Sequence, residues 1–249
     1  MTLNVVNPFL HPLHLWTYRQ TTQQEQVSLF QKHGYIIQNV PDRLVGIISD
    51  MYQAANYIAL NHVSVEVSNH ITEALKTDFN FKIWRNSMPG KTPQNLINYQ
   101  NSYPPTDINL ASHEVSQHGV ILPDDQIVFH GGIWPINNCG FDESTIKTTR
   151  VLSTTLCPEI AISNSNHNGK AEAQGRVDLV VIKLKNVKTK AFVFNPFRGQ
   201  KKHEKEVLFN SGANLKFLSR QFICNTYPVG RDMFNLKRIP VYIINAELS

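Results

Sequence analysis

The chain has 249 residues, 41% hydrophobic and 17% charged, enough apolar material for a sizeable core in one large domain or two small ones. Its net charge of +5 is scattered apart from a short cluster at Arg198, Lys201, Lys202 and Lys205. A nucleic-acid binder carries a longer basic run with interleaved aromatics, so no nucleic-acid partner is expected. Three separated cysteines, Cys139, Cys157 and Cys224, argue against a disulfide framework or a structural metal, and suit a reducing cytosol.

Along the chain, the stretch from Met1 to Trp16 carries Pro8 and Pro12 and no positive n-region, so no cleavable signal is expected. No apolar run approaches the roughly eighteen residues of a membrane span, so membrane insertion is not expected. Residues 1 to about 118 read as helical. Leu44, Val45, Ile48, Met51, Tyr52 and Ala55 recur at three- and four-residue spacing, which predicts an amphipathic helix from Pro41 to His62 started by Pro41 and Asp42. Ser68 to Phe79 repeats the spacing through Ile71, Ala74 and Leu75. The Pro-, Asn- and Tyr-rich segment Met88 to Pro105 reads as a connecting loop. Thr106 or Asp107 is then expected to cap a helix bearing Ile108, Leu110, Ala111 and Val115, closed by Gly119.

After Gly119 the period changes to two. Gln126 to His130 reads as a strand halted by Gly131-Gly132, and further strands are expected at Arg150–Ser153, Val177–Leu184, Ala191–Phe194, Lys205–Phe209, Leu215–Ile223 and Ile239–Ile244. About seven strands with few helices between them predict an α+β fold with mostly antiparallel strands. The division expected is a helical lobe over residues 1–105 packed on a strand-rich part over 106–249.

Three segments combine residue types that carry chemistry. His130 ends an apolar strand, and the two glycines after it let backbone approach a ligand closely. Leu152-Ser153-Thr154-Thr155 places hydroxyls at a strand end, just before Pro158-Glu159 starts a helix. Glu204-Lys205-Glu206 opens a strand-like run, and its two carboxylates are expected on opposite strand faces, free to hold different roles at one cleft edge. Taken singly, each also reads as an ordinary strand exit, a helix cap and a salt-bridged strand end.

Their order and spacing, a His-Gly strand, then Ser-Thr-Thr, then Glu-x-Glu-Val-Leu, resembles the mono-ADP-ribosyltransferases of the bacterial toxin and effector type, over about Asp107 to Leu248. The resemblance implies two facing, mostly antiparallel sheets that clasp NAD, preceded by a helical lobe. It implies Glu206 as the catalytic carboxylate, oriented by Ser153, with Glu204 facing the acceptor. It also implies NAD contacts from His130, Gly131, Ser153 and Thr154, and recognition of a target protein by Phe197. His130 stands where the family usually carries a phosphate-binding arginine; these two groups are not interchangeable, and Arg150 and Arg176 are the candidates to supply the missing charge. The activity implied is transfer of ADP-ribose from NAD to a target-protein side chain with release of nicotinamide, by an effector secreted without a cleavable signal and acting in host cytosol. Two alternatives stay open within the same fold, a degenerate member serving as a protein-binding module and an NAD glycohydrolase. A third class, a Cys/His hydrolase using Cys139 or Cys157, lacks any Gly-rich nucleophile elbow.

Overall fold

The computed structural model describes residues 3–101, 108–199, 201–230 and 236–249. In chain order these form β1 (Leu13–Gln20), α1 (Gln23–His33), β2 (Asn39–Ile48), α2 (Met51–Asn61), α3 (Val65–Thr77), α4 (Phe79–Asn86), α5 (Gln94–Asn101) and α6 (Ile108–His118). The strand-rich part follows with β3 (Ile127–Gly132), β4 (Thr145–Lys147), β5 (Leu152–Thr155), α7 (Pro158–Ser165), α8 (Lys170–Gln174) and β6 (Val177–Leu184). It closes with β7 (Ala191–Val193), β8 (Glu206–Phe209), β9 (Asn214–Val229) and β10 (Lys237–Leu248). The boundary expected at residue 105 and the cap expected from Thr106 or Asp107 lie outside the described residues.

The fold is α+β with two mostly antiparallel sheets. The small one pairs β1 with β2; the large one runs β4-β9-β10-β6-β3-β5-β8-β7, with only β10 and β6 parallel. Within the large sheet, β3 and β5 are joined through a single residue pair, Phe129 with Thr155. The five strands on one side and the three on the other therefore meet along a line with almost no ladder between them, and there a cleft opens. One buried apolar cluster runs through both halves of the chain, from Val6 and Ile58 to Val241 and Leu248. Helix α2 packs on β10 and β6, and its fully buried residues include Ala54, Ala55 and Ala59, small side chains that permit close approach.

The N-terminal part corrects the helical expectation. Residues 39–48 are a strand rather than the start of a helix, and the helix begins only at Met51, where the Asp50 side chain accepts from the Gln53 amide at 2.8 Å. Asp50 satisfies one of the amides left open at a helix start. Upstream of it Val40, Val45, Ile47 and Ile48 are β-branched, and an edge strand tolerates Pro41. The helix expected over Ser68 to Phe79 is two. Asp78 ends α3 and caps α4, its carboxylate accepting from the Phe81 amide at 2.7 Å. The segment expected as a loop from Met88 contains α5, which buries Leu96 and Tyr99 on one face.

The strands are found near where the period of two placed them, but β5 starts at Leu152 rather than Arg150, β9 and β10 have longer ends, and one short strand, β4, was not marked by the pattern. Gly131 and Gly132 do not halt β3; both pair with β6, opposite Leu179 and Asp178.

Candidate active site

Register brings the three motifs together. Thr155 lies opposite Phe129 on β3 and opposite Glu206 on β8, and Ser153 lies opposite Leu208. Directly opposed residues share a face, so Ser153, Thr155 and Glu206 project the same way and Thr154 projects the other way. The Ser153 hydroxyl donates diagonally to Glu206 Oε1 at 2.6 Å. Its backbone carbonyl accepts from His130 Nδ1 at 2.8 Å. Ser153 thus ties His130 and Glu206 into one unit. Thr154 donates to the Val207 carbonyl at 2.6 Å from a buried position.

Glu206 is only 5% exposed. Burial pushes its carboxyl up to about 7, against the pull of the hydrogen bonds from Ser153 and Gln100. Gln100 was not legible as a site residue, because it lies in the segment read as a loop; α5 carries its amide to Glu206 Oε2 at 2.7 Å. Both carboxylate oxygens are therefore held, one by each half of the chain.

Glu204 corrects the expectation of opposite faces. It ends a short 3₁₀ turn, Lys202–Glu204, and only Glu206 is in the strand. Lys205 between them takes a left-handed φ of +47° and buries its side chain, Nζ 3.2 Å from Ser68 Oγ on α3. Residues two apart along a strand would in any case share a face. Glu204 and Glu206 accordingly line the same cavity. The Glu204 carboxylate pairs with Lys201 Nζ at 3.0 Å, and its backbone carbonyl accepts from Thr155 Oγ1 at 2.6 Å.

His130 has a defined tautomer. A carbonyl only accepts, so Nδ1 carries the proton toward Ser153; burial keeps the ring's pKa below its ordinary value, with Lys170 and Arg150 pressing it further down. The neutral ring leaves Nε2 as an acceptor. Nε2 lies 2.8 Å from where a Cβ on Gly132 would stand, so glycine at 132 makes room for the imidazole. Gly131 also has a packing reason. A Cβ there would meet the Ala161 carbonyl oxygen at 1.6 Å, so this glycine lets α7 lie directly on β3.

The cavity measures about 860 Å³, within the range of small-molecule and cofactor sites. His130, Gly131, Ser153, Thr154, Glu204 and Glu206 line it, as does Arg150. Arg176 is not in the lining: its Nε bonds Asp178 at 3.2 Å and its Nη2 the carbonyl of Trp134, a lining residue, at 2.9 Å. Asp178 is fully buried and also takes Arg220 Nη1 at 2.8 Å, so this cluster holds the end of β6. The positive charge that lines the cavity beside Arg150 comes from Lys147, Lys170 and Lys201, which the motif spacing did not indicate. Phe197 lies on the turn after β7, 38% exposed, and does not line the cavity. Of the cysteines, Cys157 is buried, with its thiol pushed up by burial, and Cys139 is exposed; neither lines the cavity. Among the described residues no group of three metal-ligating side chains occurs, and no helix is long and apolar enough to cross a membrane.

No protein-family model matches the sequence, and no curated protein matches it. Solved structures that the chain is similar to include bacterial ADP-ribosyltransferase toxins. The ADP-ribosyltransferase Vis of Vibrio splendidus, in complex with agmatine, aligns at a TM-score of 0.47 and 14% identity, over 77% of this chain and 90% of that one. Plx2a, an ADP-ribosyltransferase toxin from Paenibacillus larvae, aligns at 0.33 and 11% identity over 76% and 88%. The enzymatic component C2-I of the C2-toxin from Clostridium botulinum aligns at 0.34 and 15% identity over 80% of this chain and 47% of that one.

Proposed function

We propose that the chain is a mono-ADP-ribosyltransferase that cleaves NAD in this cavity and transfers ADP-ribose to a side chain of a target protein. The observation that carries the reading is the hydrogen bond from Ser153 to the buried carboxylate of Glu206, set beside Glu204 and His130 in a cavity of cofactor size. Breaking the bond between nicotinamide and the ribose C1′ leaves its electron pair on nicotinamide and builds positive charge on the sugar, as in glycoside hydrolysis. Glu206, fixed through both oxygens, supplies the negative charge that stabilises it, without reorganising as the reaction proceeds. The acceptor then bonds C1′ and gives up its proton, and Glu204 on the same wall is the group placed to receive it.

His130 fits a sugar hydroxyl better than a phosphate, because a neutral Nε2 accepts but does not donate. Arg150, Lys147 and Lys170 are the residues assigned to the phosphates. On this reading residues 1–105 form a lobe that completes the cavity through Gln100, residues 106–249 form the catalytic part, and the protein is an effector or toxin acting on a host-cell protein.

Incubation with labelled NAD and cell lysate, followed by mass spectrometry of the modified residue, tests the proposal. Glu206→Ala is expected to abolish labelling, and Glu204→Ala to abolish transfer while sparing part of the NAD hydrolysis. Labelling by Glu206→Ala equal to wild type would refute the assignment. Nicotinamide release from wild type without protein labelling would make the activity that of an NAD glycohydrolase.

A further inference from the structure

A second cavity, of about 440 Å³, adjoins the first and shares two of its residues, Gln100 and Lys201. It lies between the segment leading into α5 and the turn before β8. Its cations are Lys91, Arg198, Lys201 and Lys202, and among the described residues no aspartate or glutamate lines it. Lys91, Arg198 and Lys202 are exposed, and none of them pairs with a carboxylate among the described residues. Four cations around one small concavity repel one another and attract an anion.

We propose that this cavity binds an acidic segment of the target protein and presents the neighbouring acceptor side chain to Glu204, an inference that rests on the transferase reading. The shared residue gives the arrangement its consequence. Lys201 Nζ holds Glu204 at 3.0 Å, so a carboxylate seated among Lys91, Arg198 and Lys202 competes with Glu204 for that ammonium. The arriving segment thereby frees Glu204 at the moment an acceptor needs it. A peptide carboxylate suits the site better than a nucleic acid, which needs a longer cationic track and aromatic faces for stacking. The one aromatic in the lining among the described residues, Phe194, is buried.

The test is fluorescence anisotropy at 50 and 150 mM salt with three labelled probes: a decapeptide of alternating Glu and Ser, its Gln-and-Ser counterpart, and a ten-residue oligothymidylate. The Glu peptide is expected to bind at least tenfold tighter than the Gln peptide and tighter than the oligonucleotide, and more weakly at the higher salt. K91E/R198E/K202E is expected to lose at least tenfold, and K91Q/R198Q/K202Q to change in the same direction with an unaltered melting temperature. Equal affinity for the Glu and Gln peptides, wild-type affinity in both triple variants, or preference for the oligonucleotide would overturn the proposal. No NAD is present in this assay. Wild-type protein that fails to cleave NAD would refute the transferase reading alone, and the peptide result would still decide what the cavity binds.

Discussion

Glu206→Gln converts the buried carboxyl into a neutral group of the same size, and its effect on stability follows from the site. The amide oxygen that this substitution introduces can still accept from Ser153, and turning over the Gln100 amide pairs the other end. In the folded wild type the carboxyl is pushed from an ordinary 4.5 to about 7. At about 1.4 kcal/mol per pH unit, this corresponds to about 3 kcal/mol. Between 4.5 and about 7 the folded protein binds the proton that the unfolded chain has released, so stability falls as pH rises. The contribution is complete below 4.5 and gone above about 7. Glutamine has nothing to titrate, so the variant gains on wild type by about 3 kcal/mol between roughly pH 4 and pH 8. For a chain of this length that is a relative rise in melting temperature of about 6–12 °C. Urea unfolding of both proteins across this range measures it, because groups common to the two cancel in the difference. A difference that stays flat, or moves toward wild type with rising pH, would refute the claim that desolvation dominates at Glu206.

Ser153→Ala removes a charge-assisted hydrogen bond of about 1.5–3 kcal/mol; NAD turnover is expected to fall about 10- to 100-fold and the half-maximal pH of kcat/KM to move above that of wild type. A pH–rate profile reads both. Gly131→Ala places a Cβ 1.6 Å from the Ala161 carbonyl oxygen, so soluble expression or urea stability is expected to collapse, by more than about 3 kcal/mol. Arg220→Ala leaves the fully buried Asp178 with Arg176 and the Trp134 amide alone, at an expected cost of about 3–5 kcal/mol in chemical denaturation.

What the sequence made legible follows from which signals are local. The strands after Gly119 announced themselves because a half-buried strand alternates, and β6, continuously apolar from Val177 to Leu184 apart from Asp178 and Lys183, was bounded to the residue. The β1–β2 pair did not. Its residues are largely exposed, so no buried face imposes a period, and Leu44, Val45 and Ile48 happen to match helical spacing when continued into α2. Asp50, the cap that separates strand from helix, was the local signal that would have found the boundary. Helix α5 was obscured by composition, since asparagine-rich surroundings outweighed the single buried pair Leu96 and Tyr99.

The site was legible to the extent that its parts lie in strands. Ser153 and Glu206 are 53 residues apart, and only the register of β5 on β8 makes them neighbours; the motif carried that register implicitly. Gln100, Lys201 and Ser68 were not legible, because each acts through a contact between halves of the chain or across a turn that no periodicity records. Those contacts set the charge at the centre. Burial raises the pKa of Glu206, while the Gln100 amide that the N-terminal part supplies pulls the other way. On the transferase reading, the cost of ionising a covered carboxylate is offset when the cation of the nicotinamide ring enters beside it, because an opposite charge nearby favours the ionised form. The carboxylate then becomes fully charged only once its ligand is in place. On that reading the site gains negative charge beside the bond where positive charge develops.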